Sequence, residues 1–302
     1  MQQRRLGGSG LEVGWLGLAP EAMLRQPEDL ITALDALVDA GGDLVQVTPP
    51  ILTRESEPTP LAQILRDPGR RRLLRLYLRS SEATRGSLLS QLDTALDALG
   101  TDSIDVWTLD TWSTGWHEIA SAASVALASG RVHYVGLGMP RTWQDVALAG
   151  AIQCGPPGAA VSALSAAYSL LDRAADRDRL PAAQALNAGF IAGAPLAHGV
   201  LTGKYRHGTP PDSRGASETH GSTIRALLEG PRRPVLEGLL AAADGLSTSP
   251  ASVALAWIRD VPGVSAAVVS ARTIHQWRGL LGSDGVVLPH EIRSALDDVS
   301  AV

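Results

Sequence analysis

The chain has 302 residues, 45% of them apolar and 19% charged, with a net charge of −5 and a pI near 5.8. That is ample for a large core, and the acidic balance does not suggest a nucleic-acid or membrane-surface partner, either of which would favour a basic patch. The one cysteine, Cys154, excludes an internal disulfide and fits a reducing, cytoplasmic setting.

Residues 4–14 (RRLGGSGLEVG) read as a β-hairpin around a Gly-Gly-Ser-Gly turn. The ten N-terminal residues are basic but have no apolar run behind them, so no signal peptide is expected. WLGLA (15–19) is a short apolar strand. Residues 29–40 carry apolar side chains at helical spacing and stop at Gly41-Gly42, and DLVQVT (43–48) is the next strand. A helix over 61–66 and a strand over 73–78 follow, the Arg-rich 69–79 stretch being read as a solvated helix end leading into that strand. The pattern then repeats: helix 87–99 capped by Gly100, strand 104–109, an Ala-rich helix 117–129 closed by Gly130, and strand 132–137. A helix over 142–151, N-capped by Thr142, precedes strand 160–164, helix 173–187 and strand 190–194. The uncharged run 146–171 is broken by Gly-Pro-Pro-Gly at 155–158, so it is not a membrane span. A polar, Pro-containing loop (203–222) reads as a lid rather than a domain boundary. Helices over 223–243 and 249–259, strand 264–270, a helix from Thr273 and a last helix from Pro289 complete the chain.

Eight buried strands alternating with helices imply a parallel sheet covered on both faces. Eight such units in this length favour a closed (β/α)8 TIM barrel, an α/β fold entered through an N-terminal β-hairpin, with residues 1–302 as one domain. No GxGxxG turn follows the first strand, which disfavours an open dinucleotide-binding sheet.

The segments RRLGGSGLEV, ALVDAGGDLVQV, LDALGTDSIDVWTL, YSLLDR, LPAAQALNAGFIAGAPLAHGVLTGKY and VALAWIRD…PGVSAAVVSARTIHQW closely resemble the aldo-keto reductases, from about residue 4 to 299. The resemblance implies a TIM barrel with its active site at the C-terminal strand ends, and NADP(H)-dependent carbonyl reduction by an Asp/Tyr/Lys/His tetrad. None of the four stands here. The Asp position holds Gln46 and the Tyr position Ile51. The Lys position holds Leu78 or, one step along, Arg79, and the His position holds Asp110. The sole lysine, Lys204, matches a different family position. The Ser-Asn that grips the nicotinamide amide becomes Gly138-Met139, the Gln on the sixth strand Ser165, and the stacking aromatic Gly193. Arg272, Thr273 and Gln276 survive in the adenine and 2′-phosphate region, beside His275 and Leu280. Losing amide contacts and stacking together costs several kcal/mol at about 1 kcal/mol per hydrogen bond. The expectation is therefore no cofactor, with Arg272 and Gln276 as residual NADPH contacts in the alternative.

The altered mouth is expected to bring together Asp110, Gln46, Ile51, Leu78 and Arg79 with Trp112, Trp116 and His117. A carboxylate among Ile, Leu and Trp is poorly solvated, which raises its pKa toward the range of general acid/base work. Asp110 is thus the candidate acid, Gln46 its partner, and the others bind a small, largely apolar substrate. Dehydration, isomerisation or cyclisation would suit such a site. The structural alternative has Asp110 capping a loop amide or pairing with Arg79. Two further readings stand beside it: an altered NADPH-dependent reductase, and a non-catalytic ligand-binding barrel. Tyr77 is expected to point away from Leu78. Trp107 is expected to pack, His133 to be structural, and His198 to sit at the surface. No His/Cys/Asp grouping has metal-ligand spacing.

Overall fold

A computed structural model describes residues 1–24, 27–48, 59–110, 115–138, 140, 145, 160–211, 213–229 and 232–301. Strands β1 (Gln3–Arg5) and β2 (Glu12–Gly14) form the N-terminal antiparallel hairpin, with Gln3 opposite Gly14 and Arg5 opposite Glu12. Eight further strands follow: β3 (Leu16–Leu18), β4 (Leu44–Val47), β5 (Arg75–Ser80), β6 (Ile104–Asp110), β7 (Val132–Gly138), β8 (Ala163–Ala167), β9 (Gly189–Gly193) and β10 (Val264–Val269). They pair in parallel, each with the next, and β10 closes on β3. This is the expected (β/α)8 barrel with its hairpin.

Strand alternation sorts the core into two layers. Leu44, Tyr77, Val106, Ala163, Ile191, Ala266 and Val268 fill the barrel, together with Leu6 and Val13 of the hairpin, which therefore plugs its N-terminal end. Their sequence neighbours Val45, Leu76, Leu78, Trp107, Leu164, Phe190 and Ala267 face the helices. Three tryptophans (Trp107, Trp257, Trp277) are fully buried in this outer layer, each with its indole N–H satisfied, by Ser80 Oγ, Asp297 Oδ1 and the Ala33 carbonyl.

Local chemistry sets the element ends. Thr84 and Ser87 form a capping box at the start of helix Arg85–Leu99, and Gly100, at φ 63°, ends it in a left-handed cap. Four expectations shift. The strand placed at 73–78 begins at Arg75, because Pro68–Leu73 forms a short helix capped by Asp67. The strand placed at 160–164 is Ala163–Ala167. The helix over 173–187 is a 3-10 turn (Ala174–Asp176) and a separate helix Arg179–Ala185. Pro181 sits in the first turn of the second piece and cannot continue a helix from upstream. The helix over 223–243 is likewise two, Gly221–Leu228 and Arg233–Gly245, the second opening on Pro234. The helix expected over 142–151 lies outside the described residues. Among the described residues no single helix is long and apolar enough to cross a bilayer.

Candidate functional site at the strand tips

The C-terminal ends of β3 to β6 carry a row of polar side chains into the barrel mouth. Inward positions on β4 are Leu44 and Gln46, and Thr48 continues that face. On β5 they are Tyr77 and Arg79, and on β6 Val106, Thr108 and Asp110. Val47 pairs with Leu78, so the same register sets Thr48 beside Arg79.

Arg79 and Asp110 form a two-point ion pair, Nε donating to Oδ1 at 3.1 Å and Nη2 to Oδ2 at 2.9 Å. The Asp110 side chain is 2% exposed and that of Arg79 34%. The carboxylate is buried, as expected, but it is not alone: both of its oxygens accept from the guanidinium. Burial by itself lowers the Arg79 pKa, but the hydrogen bond and charge of Asp110 outweigh it and hold Arg79 above its ordinary value. Arg79 is therefore a fixed cation, and among the described residues its Nη1 edge makes no hydrogen bond.

Beneath the pair lies Tyr77, 1% exposed, whose hydroxyl accepts from Thr108 Oγ1 at 3.2 Å. Burial pushes the Tyr77 pKa up, against the opposing hydrogen bonds of Ser165 and Thr108. This corrects the register. Leu78, taken as a mouth residue, lies at 0% exposure in the outer core, and Arg79 is the inward side chain. Tyr77 does point away from Leu78, and for that reason it faces into the barrel.

Sequence reasoning passed over one acid. Glu21 follows β3 in the 3-10 turn Pro20–Ala22, and its Oε1 accepts from Thr48 Oγ1 at 3.0 Å. Burial raises the Glu21 pKa, opposed by hydrogen bonds from its own backbone and from Thr48 and by the charge of Arg214. Arg214, whose charge acts on Glu21, belongs to the long loop read as a lid. Tyr205 holds the loop by accepting from the Gly215 N–H at 3.1 Å. The sequence offered one signal for Glu21, an acid three residues past a buried strand.

The other expected residues divide. Gln46 is inward and half-buried, and its amide makes no hydrogen bond among the described residues. Trp116 opens helix Trp116–Ala128 and packs against the outer core instead of rimming the mouth, because the helix turns that face inward to the barrel wall. His117, one residue on, is exposed. Ile51 and Trp112 lie outside the described residues. His198 is exposed, at φ 57°, as expected; His133, expected to be structural, is exposed with Nδ1 3.9 Å from Asp105 Oδ1. Among the described residues no group of His, Cys, Asp or Glu is placed to hold a metal.

Gly138 ends β7 opposite Asp110 in register. A Cβ at this glycine would overlap Asp110 Oδ1 and stand 3.1 Å from its Cγ. The position that the resemblance assigns to an amide-gripping serine is thus filled by the Asp110 carboxylate. Ser165 is committed to Tyr77, and Gly193 offers no ring. These three positions offer a nicotinamide neither a serine hydroxyl at the end of β7 nor a stacking ring. At the distant adenine end, Gln276 Oε1 accepts from the Arg272 N–H at 2.9 Å in an exposed turn capped by Thr273.

The family model for the aldo/keto reductases matches residues 6–301. The chain belongs to the aldo/keto reductase family. Relatives of this family member include a Bacillus subtilis protein described as uncharacterized oxidoreductase YrpG, 32% identical over 211 residues, which are 69% of this chain and 62% of that protein. An L-glyceraldehyde 3-phosphate reductase of Escherichia coli O157:H7 is 32% identical over 206 residues, 65% of this chain and 58% of the enzyme. A probable voltage-gated potassium channel subunit beta of rice is 37% identical over 112 residues, 36% of this chain and 34% of that subunit. The chain thus spans less than two thirds of the length of each of these relatives.

Proposed function

We propose that this barrel catalyses proton transfer next to a carbonyl group on a small-molecule substrate, without a nicotinamide, as an isomerase, cyclase or water-eliminating lyase. The observation that carries the reading is the Glu21 carboxyl, half-buried and bonded to Thr48 at the tip of the strand beside the Arg79–Asp110 pair. A carboxyl whose pKa is raised by burial is a stronger base than a free carboxylate and can both accept and return a proton. Glu21 as carboxylate takes the proton from the carbon beside the carbonyl. The electron pair moves onto the carbonyl oxygen, which accepts from the Arg79 guanidinium. In a β-hydroxy carbonyl the electron pair then returns and expels the β-hydroxyl, which leaves as water with the proton from Glu21; in a β,γ-unsaturated carbonyl the dienolate takes that proton at its γ carbon. Arg79 supplies preorganised positive charge where the oxyanion develops, a contribution of about 3–4 kcal/mol per donor in mutational studies. Asp110 positions Arg79 through its two-point pair, in place of its expected role as the acid. Gln46 offers its amide to the substrate.

Solvent exchange tests this without knowledge of the product. The protein is incubated in D2O with a panel of ketones, aldehydes and oxo acids, and deuterium at the adjacent carbon is read by mass spectrometry. Incorporation without NADPH, abolished in Glu21→Gln, supports the reading. A second reading, an NADPH-dependent reductase with an altered proton donor, is favoured by family membership, by the relatives named as oxidoreductases, and by Arg272 and Gln276. Carbonyl-dependent NADPH oxidation without exchange would establish it in place of the first.

A further inference from the structure

The N-terminal end of the barrel is the end where a TIM barrel keeps stabilising residues, not catalytic ones. In this chain it carries a groove of about 620 Å³ between the hairpin and the loops before β9 and β10. Arg4, Arg5, Asn187, Arg259 and Ser265 line it. Arg259 is spoken for: Nε and Nη2 bond both oxygens of Asp260 at 2.8 and 3.0 Å, and its remaining donors reach the Ser283, Asp284 and Val286 carbonyls. Ser265 Oγ donates to the Arg5 carbonyl.

Arg4 is different. Its Nη1 is fixed by the Arg259 carbonyl at 2.7 Å and the Val264 carbonyl at 3.0 Å. That leaves the Nε and Nη2 edge with no hydrogen bond and Arg4 with no ion pair among the described residues. The two nearby acids are already engaged, Asp260 by Arg259 and Asp284 by the Trp15 indole at 2.6 Å and the Met1 amine at 3.4 Å. Burial lowers the Arg4 pKa, against the pull of Asp260 and with the push of Arg259. A half-buried cation in this position is stabilised by an anion. The amide of Asn187, a groove-lining residue at φ 54° whose Nδ2 packs against Gly8, also makes no hydrogen bond among the described residues. Arg5 stands beside it, 3.8 Å from Glu12 and largely exposed.

We infer that this groove is a second binding site, distinct from the strand tips, for a phosphate group: the free edge of Arg4 grips two oxygens of a tetrahedral oxyanion, and Asn187 and Arg5 complete its donors. A guanidinium fork matches phosphate in two-point geometry. The groove is larger than a bare phosphate, so it also admits a phosphate monoester.

Calorimetric titration of the full chain, at an ionic strength held constant with chloride, tests this with inorganic phosphate, ribose 5-phosphate and acetate as probes. Saturable binding of phosphate or of the sugar phosphate, with acetate weaker, is expected. A tighter sugar phosphate makes the ligand an organic ester, and equal affinities make it free phosphate. Arg4→Gln is expected to weaken binding by tenfold or more. Because Arg4 also ties two carbonyls, Asn187→Asp serves as the second variant. It keeps a residue that tolerates positive φ and puts a negative charge on the lip. It should abolish binding while leaving Tm in chloride unchanged. Non-saturable heats for both phosphates, acetate binding as tightly as phosphate, or affinities unchanged in both variants would overturn the proposal.

Discussion

The Asp110 carboxylate occupies the space that a side chain on Gly138 would need. The two residues are paired in register on adjacent strands, and a Cβ at 138 would stand 3.1 Å from Asp110 Cγ and overlap Oδ1. The carboxylate cannot swing aside freely, because Arg79 holds both of its oxygens. Gly138→Ala is therefore expected to cost about 1–3 kcal/mol, the range for overpacking a filled site. Asp110→Ala in the same chain removes the obstacle, so the double variant should be less destabilised than the sum of the singles. Urea unfolding of the four proteins checks this, and strict additivity would contradict it.

The ion pair is lopsided in burial, so its two halves should respond differently to removal. Arg79→Met leaves a carboxylate at 2% exposure without its guanidinium. That case falls in the range of about 3–5 kcal/mol for breaking a buried pair. Asp110→Asn leaves a guanidinium at 34% exposure, which reaches water, and should cost about 1–2 kcal/mol. Thermal unfolding of both variants should rank Arg79→Met as the less stable. The opposite ranking would mean that Asp110 is not the desolvated partner.

Glu21 should tie stability to pH. Its folded pKa lies above the unfolded value, chiefly through burial, so the folded state binds this proton more tightly. The resulting stabilisation is fully present below the unfolded pKa of about 4.3 and is lost as pH rises through the raised folded value. Glu21→Gln does not titrate. The wild-type stability minus that of the variant should therefore fall as pH climbs from about 4.3 toward neutrality. A difference flat with pH would contradict the assignment.

Tyr77 lies below the reacting groups, not among them. Tyr77→Phe strands the Thr108 and Ser165 hydroxyls that bond it and should cost about 1–3 kcal/mol of stability. Deuterium exchange in the folded variant should stay within a few fold of wild type. Its abolition would make Tyr77 the proton carrier.

The barrel was legible because its signals are strong and redundant. Eight apolar runs alternating with helices, several of them stopped by glycine as at Gly41, Gly100 and Gly130, admit few other architectures. The mouth was less legible, and particular residues show why. Leu78 and Arg79 differ by one step, and a one-step slip swaps the two faces of a strand. Apolar content could not fix that step, because Leu73 ends a short helix and β5 starts only at Arg75. The pairing of Arg79 with Asp110 was the structural alternative at the outset, and the geometry favours it over the lone acid. Glu21 stayed hidden because the groups that act on it, Thr48 and Arg214, lie 27 and 193 positions away in the chain. Trp116 looked like a binding residue because a helix start and a loop over the mouth read alike in sequence.

The central claim is that the strand tips hold a proton-transfer site in place of a nicotinamide site. Titration of the protein with NADPH, followed by nicotinamide fluorescence, tests it most directly. The expected result is no saturable change in emission and no resonance transfer from the tryptophans at micromolar NADPH. A saturable micromolar response with one-to-one stoichiometry would contradict it.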